Sequence, residues 1–299
     1  MAVKVAFFGL GSMGYGMASS CLRAGFDVCG FDVDAGRVAA FQAAGGRKGA
    51  ATQIAPDLDA VVLVVLNASQ VESVLFGEDG VAPHLGKGAL VMACATVPPE
   101  FAKDMESRCA RLGLSYLDAP ISGGSANAAK GKLGIMASGS DAAFSAAEPI
   151  LEATAETVFR MGDASGAGSA MKAVNQLLAG VHIAAMAEAM TFGMTQGIRP
   201  KTFFEVITKC AGTSWMLENR APHVVAGDYK PHSQVNIWPK DLGIVLETAR
   251  SAGFHAPITE AALARYKAAV EMGLGQEDDA AVAKVYAKDA GLTLPKEKA

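Results

Sequence analysis

The chain has 299 residues, of which 51% are hydrophobic and 19% charged, and its formal net charge is −4. These values are typical of a soluble globular protein of one or two domains, and the negative charge argues against a nucleic-acid-binding surface. The 5 cysteines are scattered without a CxxC pair, which favours reduced thiols over disulfides. The 5 histidines show no metal-ligand spacing, so no metal site is expected.

Apolar runs alternate with helical stretches in the first part of the chain. Strands are predicted at residues 3–8, 27–32, 60–66, 89–95, 115–122, 132–139 and 157–162. Helices are predicted between them, at residues 13–25, 34–45, 68–76, 98–113 and 141–153. Short apolar strands that alternate with helices predict a doubly wound, mostly parallel sheet, which is the Rossmann type of α/β fold.

The second part of the chain reads as helical throughout. Helices are predicted at residues 168–196, 200–210, 214–226, 239–253, 257–273 and 278–288. The sequence therefore predicts an α/β domain at residues 1–163 and an all-α domain at residues 164–299. The first and longest of these helices is expected to connect the two domains.

The most apolar stretch, residues 173–195, has the length of a membrane span. Asn175, Gln176, His182 and Glu188 interrupt this stretch, and such polar content favours a buried core helix. The N-terminal apolar run is too short and too glycine-broken for a signal peptide. A cytoplasmic protein without a membrane segment is therefore expected.

The stretch GLGSMG places Gly9, Gly11 and Gly14 in the GxGxxG spacing, directly after a predicted strand and at the start of a predicted helix. In this context Gly9 permits a tight turn, Gly11 allows the backbone to approach a pyrophosphate, and Gly14 allows close packing of helix and strand. The phosphate charge would lie at the helix N-terminus, where free N–H groups and the helix dipole favour an anion. The pattern predicts a dinucleotide site.

Asp32 ends the second predicted strand, 18 residues after Gly14. A carboxylate at this position can accept hydrogen bonds from the adenine ribose hydroxyls and would repel a 2′-phosphate. Asp34 adds a second negative charge, and Arg37 follows several residues later. The predicted cofactor is therefore NAD rather than NADP.

Four stretches occur in a recognisable order along the chain: GLGSMGYGMA (9–18), LDAPISGG (117–124), GAGSAMKAVNQ (166–176) and WPKDLG (238–243). Together they resemble the β-hydroxyacid dehydrogenase family, which includes 3-hydroxyisobutyrate dehydrogenase. The resemblance covers essentially the whole chain. It implies an NAD-binding Rossmann domain followed by a helical domain that serves substrate binding and oligomerisation.

The resemblance also assigns roles to individual residues. Lys172 matches the catalytic lysine of the family, and Asn175 matches its neighbour on the same helix face. The turn formed by Ser122, Gly123 and Gly124 is implied to hold the substrate carboxylate. Lys240 is implied to lie beside both the nicotinamide and the substrate. The implied cofactor set is completed by Gly9, Leu10, Gly11, Met13, Gly14, Asp32, Leu66, Asn67 and Thr96.

Hydride transfer from an alcohol to NAD⁺ requires a base that takes the hydroxyl proton. Lys172 can be that base if its pKa is lowered, and desolvation, the positive nicotinamide and Lys240 would each act in that direction. Asn175, at i+3, shares its helix face and is expected to orient the amine or the substrate hydroxyl. Outside this set, Arg220 is expected to form a surface salt bridge.

The substrate is expected to be a short polar hydroxy acid. Residues 176–190, 211–229 and 240–249 look most like the members of the family that oxidise L-threonate to 2-oxotetronate. Two alternatives keep the mechanism, namely oxidation of 3-hydroxyisobutyrate and reduction of tartronate semialdehyde or glyoxylate. A third is a non-catalytic module that binds NAD(H). A homodimer or homotetramer is expected, without nucleic-acid or membrane partners.

Overall fold

The computed structural model describes residues 2–296, which divide into two compact units between Lys172 and Ala173. This division falls inside a long helix, past the predicted boundary at residue 163. The first unit has a sheet and surrounding helices, and the second unit is helical. The predicted fold class, a Rossmann domain followed by an all-α domain, is confirmed.

Within residues 2–296 the sheet has eight strands. They are β1 (Lys4–Phe8), β2 (Asp27–Phe31), β3 (Ala60–Leu63), β4 (Leu90–Ala93), β5 (Ser115–Asp118), β6 (Ile121–Ser122), β7 (Leu133–Ser138) and β8 (Ala155–Gly162). The order is β2-β1-β3-β4-β5-β7-β6, with β8 paired to β7. The pairs from β2 to β5 and the pair β7–β8 are parallel, whereas β7 is antiparallel to β5 and β6.

The strands in the middle of the sheet are buried on both faces, as their continuous apolar sequences require. Every residue of Ala60–Leu63 and of Leu90–Ala93 is buried. The single strand predicted at 115–122 is wrong, because the chain leaves the sheet at Ala119 and Pro120 and returns as β6. Proline has no N–H to contribute to a strand ladder, which explains the break.

The helices of the first unit lie between its strands. They are α1 (Gly14–Arg23), α2 (Ala35–Ala43), α3 (Ala51–Ile54), α4 (Ala68–Phe76), α5 (Pro99–Arg111), α6 (Gly124–Lys130) and α7 (Asp141–Thr154). Asp34, Asn67 and Ser140 cap α2, α4 and α7 by accepting hydrogen bonds from free N–H groups of the first turn. The short helices α3 and α6 were not predicted. Both are shorter than the window over which helical periodicity is read.

The helices that follow are α8 (Ala167–Thr195), α9 (Pro200–Ile207), α10 (Trp215–Ala226), α11 (Ile237–Ser251), α12 (Pro257–Glu271) and α13 (Ala283–Asp289). The core of the second unit includes a stacked pair, Trp238 on Tyr266, with ring centroids 5.5 Å apart. The Tyr266 hydroxyl donates to the Gly180 carbonyl oxygen at 2.9 Å. The prediction that Arg220 forms a surface salt bridge is wrong, because Arg220 is buried and pairs with the fully buried Asp279.

Helix α8 is long and apolar enough to cross a membrane by length and composition alone. Its most apolar window is 44% buried within the protein, and Ile183, Met186 and Met190 belong to the core of the second unit. Such burial is typical of a core helix in a folded domain, as the polar residues of this stretch predicted.

Candidate active site

The residues predicted to bind the cofactor follow the carboxyl ends of neighbouring strands. The glycine loop follows β1, Asp32 follows β2, Leu66 and Asn67 follow β3, and Thr96 follows β4. Because these strands are parallel and adjacent, their carboxyl ends share one edge of the sheet. Doubly wound folds bind ligands at this edge, at the point where the strand order reverses beside β1.

Each glycine of the loop GLGSMG has a different steric environment. Gly9 has a φ of +96°, and a Cβ there would lie 2.3 Å from the Val64 carbonyl oxygen. A Cβ at Gly14 would lie 1.9 Å from the Gly9 carbonyl oxygen, so the start of α1 requires glycine. A Cβ at Gly11 would meet the Arg37 guanidinium at 3.8 Å and is otherwise in open space. The backbone at Gly11 is therefore open to a pyrophosphate, and the loop fits a dinucleotide.

Backbone groups orient the Asp32 carboxylate. The Leu10 N–H donates to its Oδ2 at 2.7 Å, the Asp34 N–H donates to its Oδ1 at 2.9 Å, and 6% of the side chain is exposed. Arg37 Nη1 lies 3.6 Å from Oδ2. A carboxylate held in this way can still accept from ribose hydroxyls. The structure therefore adds Arg37 as a cation beside the predicted ribose contact.

The other predicted cofactor residues lie on the loops around this edge. Met13 is half-buried and directly precedes α1, and Thr96 is half-buried just beyond β4. The Leu66 side chain is 62% exposed, and its N–H donates to Gln70 Oε1 at 2.8 Å. Asn67 Oδ1 accepts from the Gln70 N–H at 2.9 Å. Gln70 thus holds the short loop that carries Leu66 and Asn67.

The SGG turn has the conformation that its two glycines allow. Ser122 ends β6, and Gly123 and Gly124 follow with φ of +128° and +78°. Two successive residues in the left-handed region favour glycine strongly. A Cβ at Gly124 would meet nothing within 4 Å, so this backbone is open on one side. Successive exposed N–H groups in such turns can hold an anion.

Lys172 lies in the first turns of α8 and has a relative exposure of 8%. Its Nζ donates a hydrogen bond to the Ile121 carbonyl oxygen at 2.9 Å. Ile121 directly precedes Ser122 and is 51 residues away from Lys172 in sequence. The first unit therefore brings the predicted base next to the strand that carries the predicted carboxylate-binding turn.

A buried carboxylate in the same unit was missed by sequence reasoning. Asp118 ends β5, is 1% exposed, and accepts hydrogen bonds from Gly166, Ser169 and Ser138. Burial raises the pKa of Asp118, and the hydrogen bonds from Ser169, Gly166 and Ser138 oppose this effect. The available signal was a charged residue at the end of a short predicted strand, inside LDAPISGG.

The second unit holds Asn175 and Lys240 in one side-chain network. Asn175 Nδ2 donates to Gln176 Oε1 at 2.9 Å, and Gln176 Nε2 donates to Asp241 Oδ2. Lys240 Nζ lies 2.6 Å from Asp241 Oδ1. Gln176 and Asp241 are both buried and were not predicted as site residues. Because Asp241 balances its charge, Lys240 is a weaker source of positive potential than the sequence suggested.

Two family descriptions match almost the entire chain. Residues 4–162 match the NAD binding domain of 6-phosphogluconate dehydrogenase. Residues 166–286 match the family described as NAD-binding of NADP-dependent 3-hydroxyisobutyrate dehydrogenase. The chain belongs to the β-hydroxyacid dehydrogenase family. It is an NAD-dependent dehydrogenase that acts on CH–OH groups.

Individual relatives extend over the same length. The chain is 48% identical to L-threonate dehydrogenase from Cupriavidus necator over 99% of both chains. It is 47% identical to L-threonate dehydrogenase from Escherichia coli K12 over 97% of this chain and 96% of that one. A crystal structure of 3-hydroxyisobutyrate dehydrogenase (ygbJ) from Salmonella typhimurium superposes with a TM-score of 0.89 at 46% identity. That match covers 95% of this chain and 99% of the Salmonella chain.

Proposed function

We propose that this dehydrogenase oxidises L-threonate at C2 to 2-oxotetronate. The observation that carries the proposal is the buried Lys172, whose amine lies on the Ile121 carbonyl beside the SGG turn. The near-half identity to the L-threonate dehydrogenases, over almost the whole chain, supports the choice of substrate. The bound NAD⁺ would accept the hydride.

Lys172 would act as the general base. When neutral, its amine takes the proton from the C2 hydroxyl while the C2–H hydride leaves, so the hydroxyl becomes a carbonyl and the amine an ammonium. In the reverse direction the ammonium returns this proton. General-base action requires the neutral form of the Lys172 amine at the start of the forward reaction.

The SGG turn would hold the substrate carboxylate. The two glycines leave backbone N–H groups accessible, and the Ser122 hydroxyl adds a further donor. An anion held there would lie close to the strand end where Lys172 Nζ is hydrogen-bonded. This arrangement would direct the carbon next to the carboxylate towards the amine, as oxidation at C2 requires.

Asn175 and Lys240 would orient the substrate and the nicotinamide end of the cofactor. The hydrogen bond to Gln176 uses one N–H of the Asn175 amide and leaves its carbonyl oxygen and second N–H for a substrate hydroxyl. Lys240 is 28% exposed, so its remaining ammonium donors can reach a ligand while Asp241 holds the side chain. A polyhydroxylated acid suits such donors and acceptors better than a methyl-substituted one.

A panel of C3 to C6 hydroxy acids, each assayed with NAD⁺ and with NADP⁺, tests the substrate assignment. We expect the highest kcat/KM for L-threonate with NAD⁺. The Salmonella relative with 46% identity is named for 3-hydroxyisobutyrate, which makes that acid the main competitor. A higher kcat/KM for 3-hydroxyisobutyrate, or for glycerate as the reduced form of tartronate semialdehyde, would replace L-threonate and leave the family unchanged.

The Lys172→Ala variant separates catalysis from mere cofactor binding. We expect turnover to fall at least about 1,000-fold, since general acid–base catalysis and the positioning of the base are both removed. NAD(H) affinity, measured by calorimetry, should remain within about twofold because the glycine loop is intact. Unchanged turnover would contradict the role of Lys172, and absence of turnover in the wild type with every acid would favour a non-catalytic NAD(H)-binding module.

We also propose that the protein is a cytoplasmic homo-oligomer that takes part in sugar-acid breakdown. Val174, Leu178 and Phe192 lie on one face of α8 and are 54%, 50% and 66% exposed. Large apolar side chains aligned on one helix face are typical of a surface that a second copy covers. Light scattering should therefore give a dimer or tetramer mass, and Phe192→Glu should lower it. A monomeric wild type at micromolar concentration would contradict the proposal.

A further inference from the structure

Asp118 is an unusually well-satisfied buried carboxylate. It lies at the carboxyl end of β5 with 1% exposure. Its Oδ2 accepts from the Ser169 N–H at 2.9 Å, the Gly166 N–H at 3.0 Å and Ser138 Oγ at 3.1 Å, and its Oδ1 accepts from Ser169 Oγ at 2.7 Å. Burying an ionised carboxylate is costly unless several donors surround it, and here four donors do so.

These bonds join the end of β5 to the first turn of α8. The first N–H groups of a helix have no partner within the helix and need one elsewhere. The Asp118 carboxylate takes the N–H groups of Gly166 and Ser169, and Ser138 Oγ accepts from the Gly168 N–H at 2.9 Å. The negative charge also lies at the positive end of the helix dipole.

The helix approaches the sheet so closely that no side chain fits between them. A Cβ at Gly168 would lie 2.3 Å from the Met136 carbonyl oxygen and 2.9 Å from the Asp118 carbonyl oxygen. The first turn of α8 therefore lies directly against the ends of β5 and β7. This contact leaves little freedom for the residues that follow in the helix.

Lys172 is tied to the same strand end at two points. Lys172 follows Ser169 by three residues, which is about one helical turn. The N–H and the hydroxyl of Ser169 both donate hydrogen bonds to Asp118. The Nζ of Lys172 is bonded to the carbonyl oxygen of Ile121, three residues after Asp118. The backbone and the amine of Lys172 thus share one anchoring region.

We propose that Asp118 is a positioning residue for the reaction: by clamping the first turn of α8 onto β5, it holds the Lys172 amine at the substrate-binding turn. The inference rests on the proposed role of Lys172 as the base. Asp118 itself would not exchange a proton with the substrate. A carboxylate suits this role because it is an acceptor only, whereas an asparagine amide would present an NH₂ group to part of the same donor set.

The test compares wild type with Asp118→Ala, Asp118→Asn and the control Asp79→Ala, which removes an exposed carboxylate from the loop after α4. In Asp118→Ala we expect kcat to fall about 100-fold, the loss associated with misplacing a catalytic group by about 1 Å. KM should stay within about threefold and the NAD Kd within about twofold. Asp118→Asn keeps one acceptor oxygen and should recover part of kcat, while the control should match wild type.

A second measurement reports directly on Lys172. Competitive acetylation with acetic anhydride, followed by peptide mass spectrometry, gives the reactivity of each lysine. Asp118→Ala should increase the labelling rate of Lys172 several-fold relative to the exposed Lys130, because its amine is no longer held on Ile121. Hydrogen exchange should become faster in the segment that contains Gly166 and Ser169. If Asp118 merely stabilises the fold, its removal should change neither the labelling of Lys172 relative to Lys130 nor kcat at constant KM.

The possible outcomes are distinguishable. If Asp118→Ala keeps its NAD affinity, and both kcat and Lys172 labelling match wild type, the proposal is overturned. If Asp118→Ala does not fold, Ser169→Ala decides, because it removes one hydroxyl bond and leaves the carboxylate in place. A lower kcat with faster Lys172 labelling in Ser169→Ala supports the clamp, and wild-type values overturn it. If the wild type oxidises no hydroxy acid, the proposed function fails, and labelling and exchange still test the clamp.

Discussion

Replacing Arg220 by Met should destabilise the second unit strongly. Arg220 Nε donates to Asp279 Oδ1 at 2.5 Å, Arg220 is 9% exposed, and Asp279 is 0% exposed. The variant removes the guanidinium and leaves the Asp279 carboxylate buried, where the Trp238 indole N–H still donates to it at 3.1 Å. Removing one partner of a buried ion pair in this way costs about 3–5 kcal/mol of unfolding free energy. The double variant Arg220→Met/Asp279→Leu should recover much of this loss, because it removes both charges.

The loss of unfolding free energy in Arg220→Met should be larger at high pH than at low pH. Burial raises the pKa of Asp279 and Arg220 opposes this rise, while the neighbouring Asp278 adds to it. Without Arg220 the folded-state pKa rises further above the unfolded value, so the native state binds the proton more tightly. The contribution of Asp279 to stability is then fully present below its unfolded-state pKa and is lost as pH rises through its folded-state pKa. Each unit of pKa difference corresponds to about 1.4 kcal/mol.

Urea unfolding followed by tryptophan fluorescence measures this effect, since Trp215 and Trp238 both lie in the second unit. We expect Arg220→Met to be less stable than wild type at about pH 8 and to recover at least about 1 kcal/mol at about pH 5. The matched control is Arg265→Met, whose partner Asp289 is 59% exposed, so its loss should stay below about 1 kcal/mol. A loss no larger than that of the control, or one that does not change with pH, would refute the reasoning.

Further predictions concern the residues proposed to bind the cofactor and the residues proposed to bind the substrate. Gly14→Ala should lower the melting temperature of the first unit in thermal melts, because its Cβ would overlap the Gly9 carbonyl. Gly11→Ala should leave the melting temperature nearly unchanged and raise the NAD Kd measured by calorimetry. Asp32→Ser should increase the ratio of kcat/KM for NADP⁺ to that for NAD⁺ at least about tenfold, because Arg37 remains beside the ribose position; an unchanged ratio would contradict the contact. Asp241→Asn should raise KM for the acid several-fold with kcat less affected, whereas equal loss in kcat and kcat/KM would indicate a transition-state role.

Local sequence was sufficient to predict the elements in which a run of neighbouring residues shares one hydrophobic pattern. The strands Ala60–Leu63 and Leu90–Ala93 are continuous apolar runs, and α8 is a long, mostly apolar sequence without proline. The glycine loop could be located because the GxGxxG spacing, directly after an apolar strand and at the start of a helix, is a local pattern. The resemblance to a known family then supplied roles for Lys172 and the SGG turn that spacing alone could not assign.

Contacts between distant segments were beyond a local reading. Asp118 and Ser169 are 51 residues apart, Gln176 and Asp241 are 65 apart, and Arg220 and Asp279 are 59 apart. In each case a polar side chain is buried because its partner arrives from another element, and burial without that partner would be unfavourable. Periodicity reports which face of an element is apolar, and it carries no information on which polar groups meet there.

The sequence by itself determined the alternation of strands and longer helices, the dinucleotide loop and the identity of the candidate base, because these depend on hydrophobic period and a recognisable set of motifs. Only the tertiary structure decided that Pro120 divides β5 from β6, that Arg37 lies beside Asp32, and that Asp118 holds the start of α8. The physical reason is that these features depend on how strand ends and helix starts pack together, and hydrogen bonds across such packing join residues that are far apart in the chain.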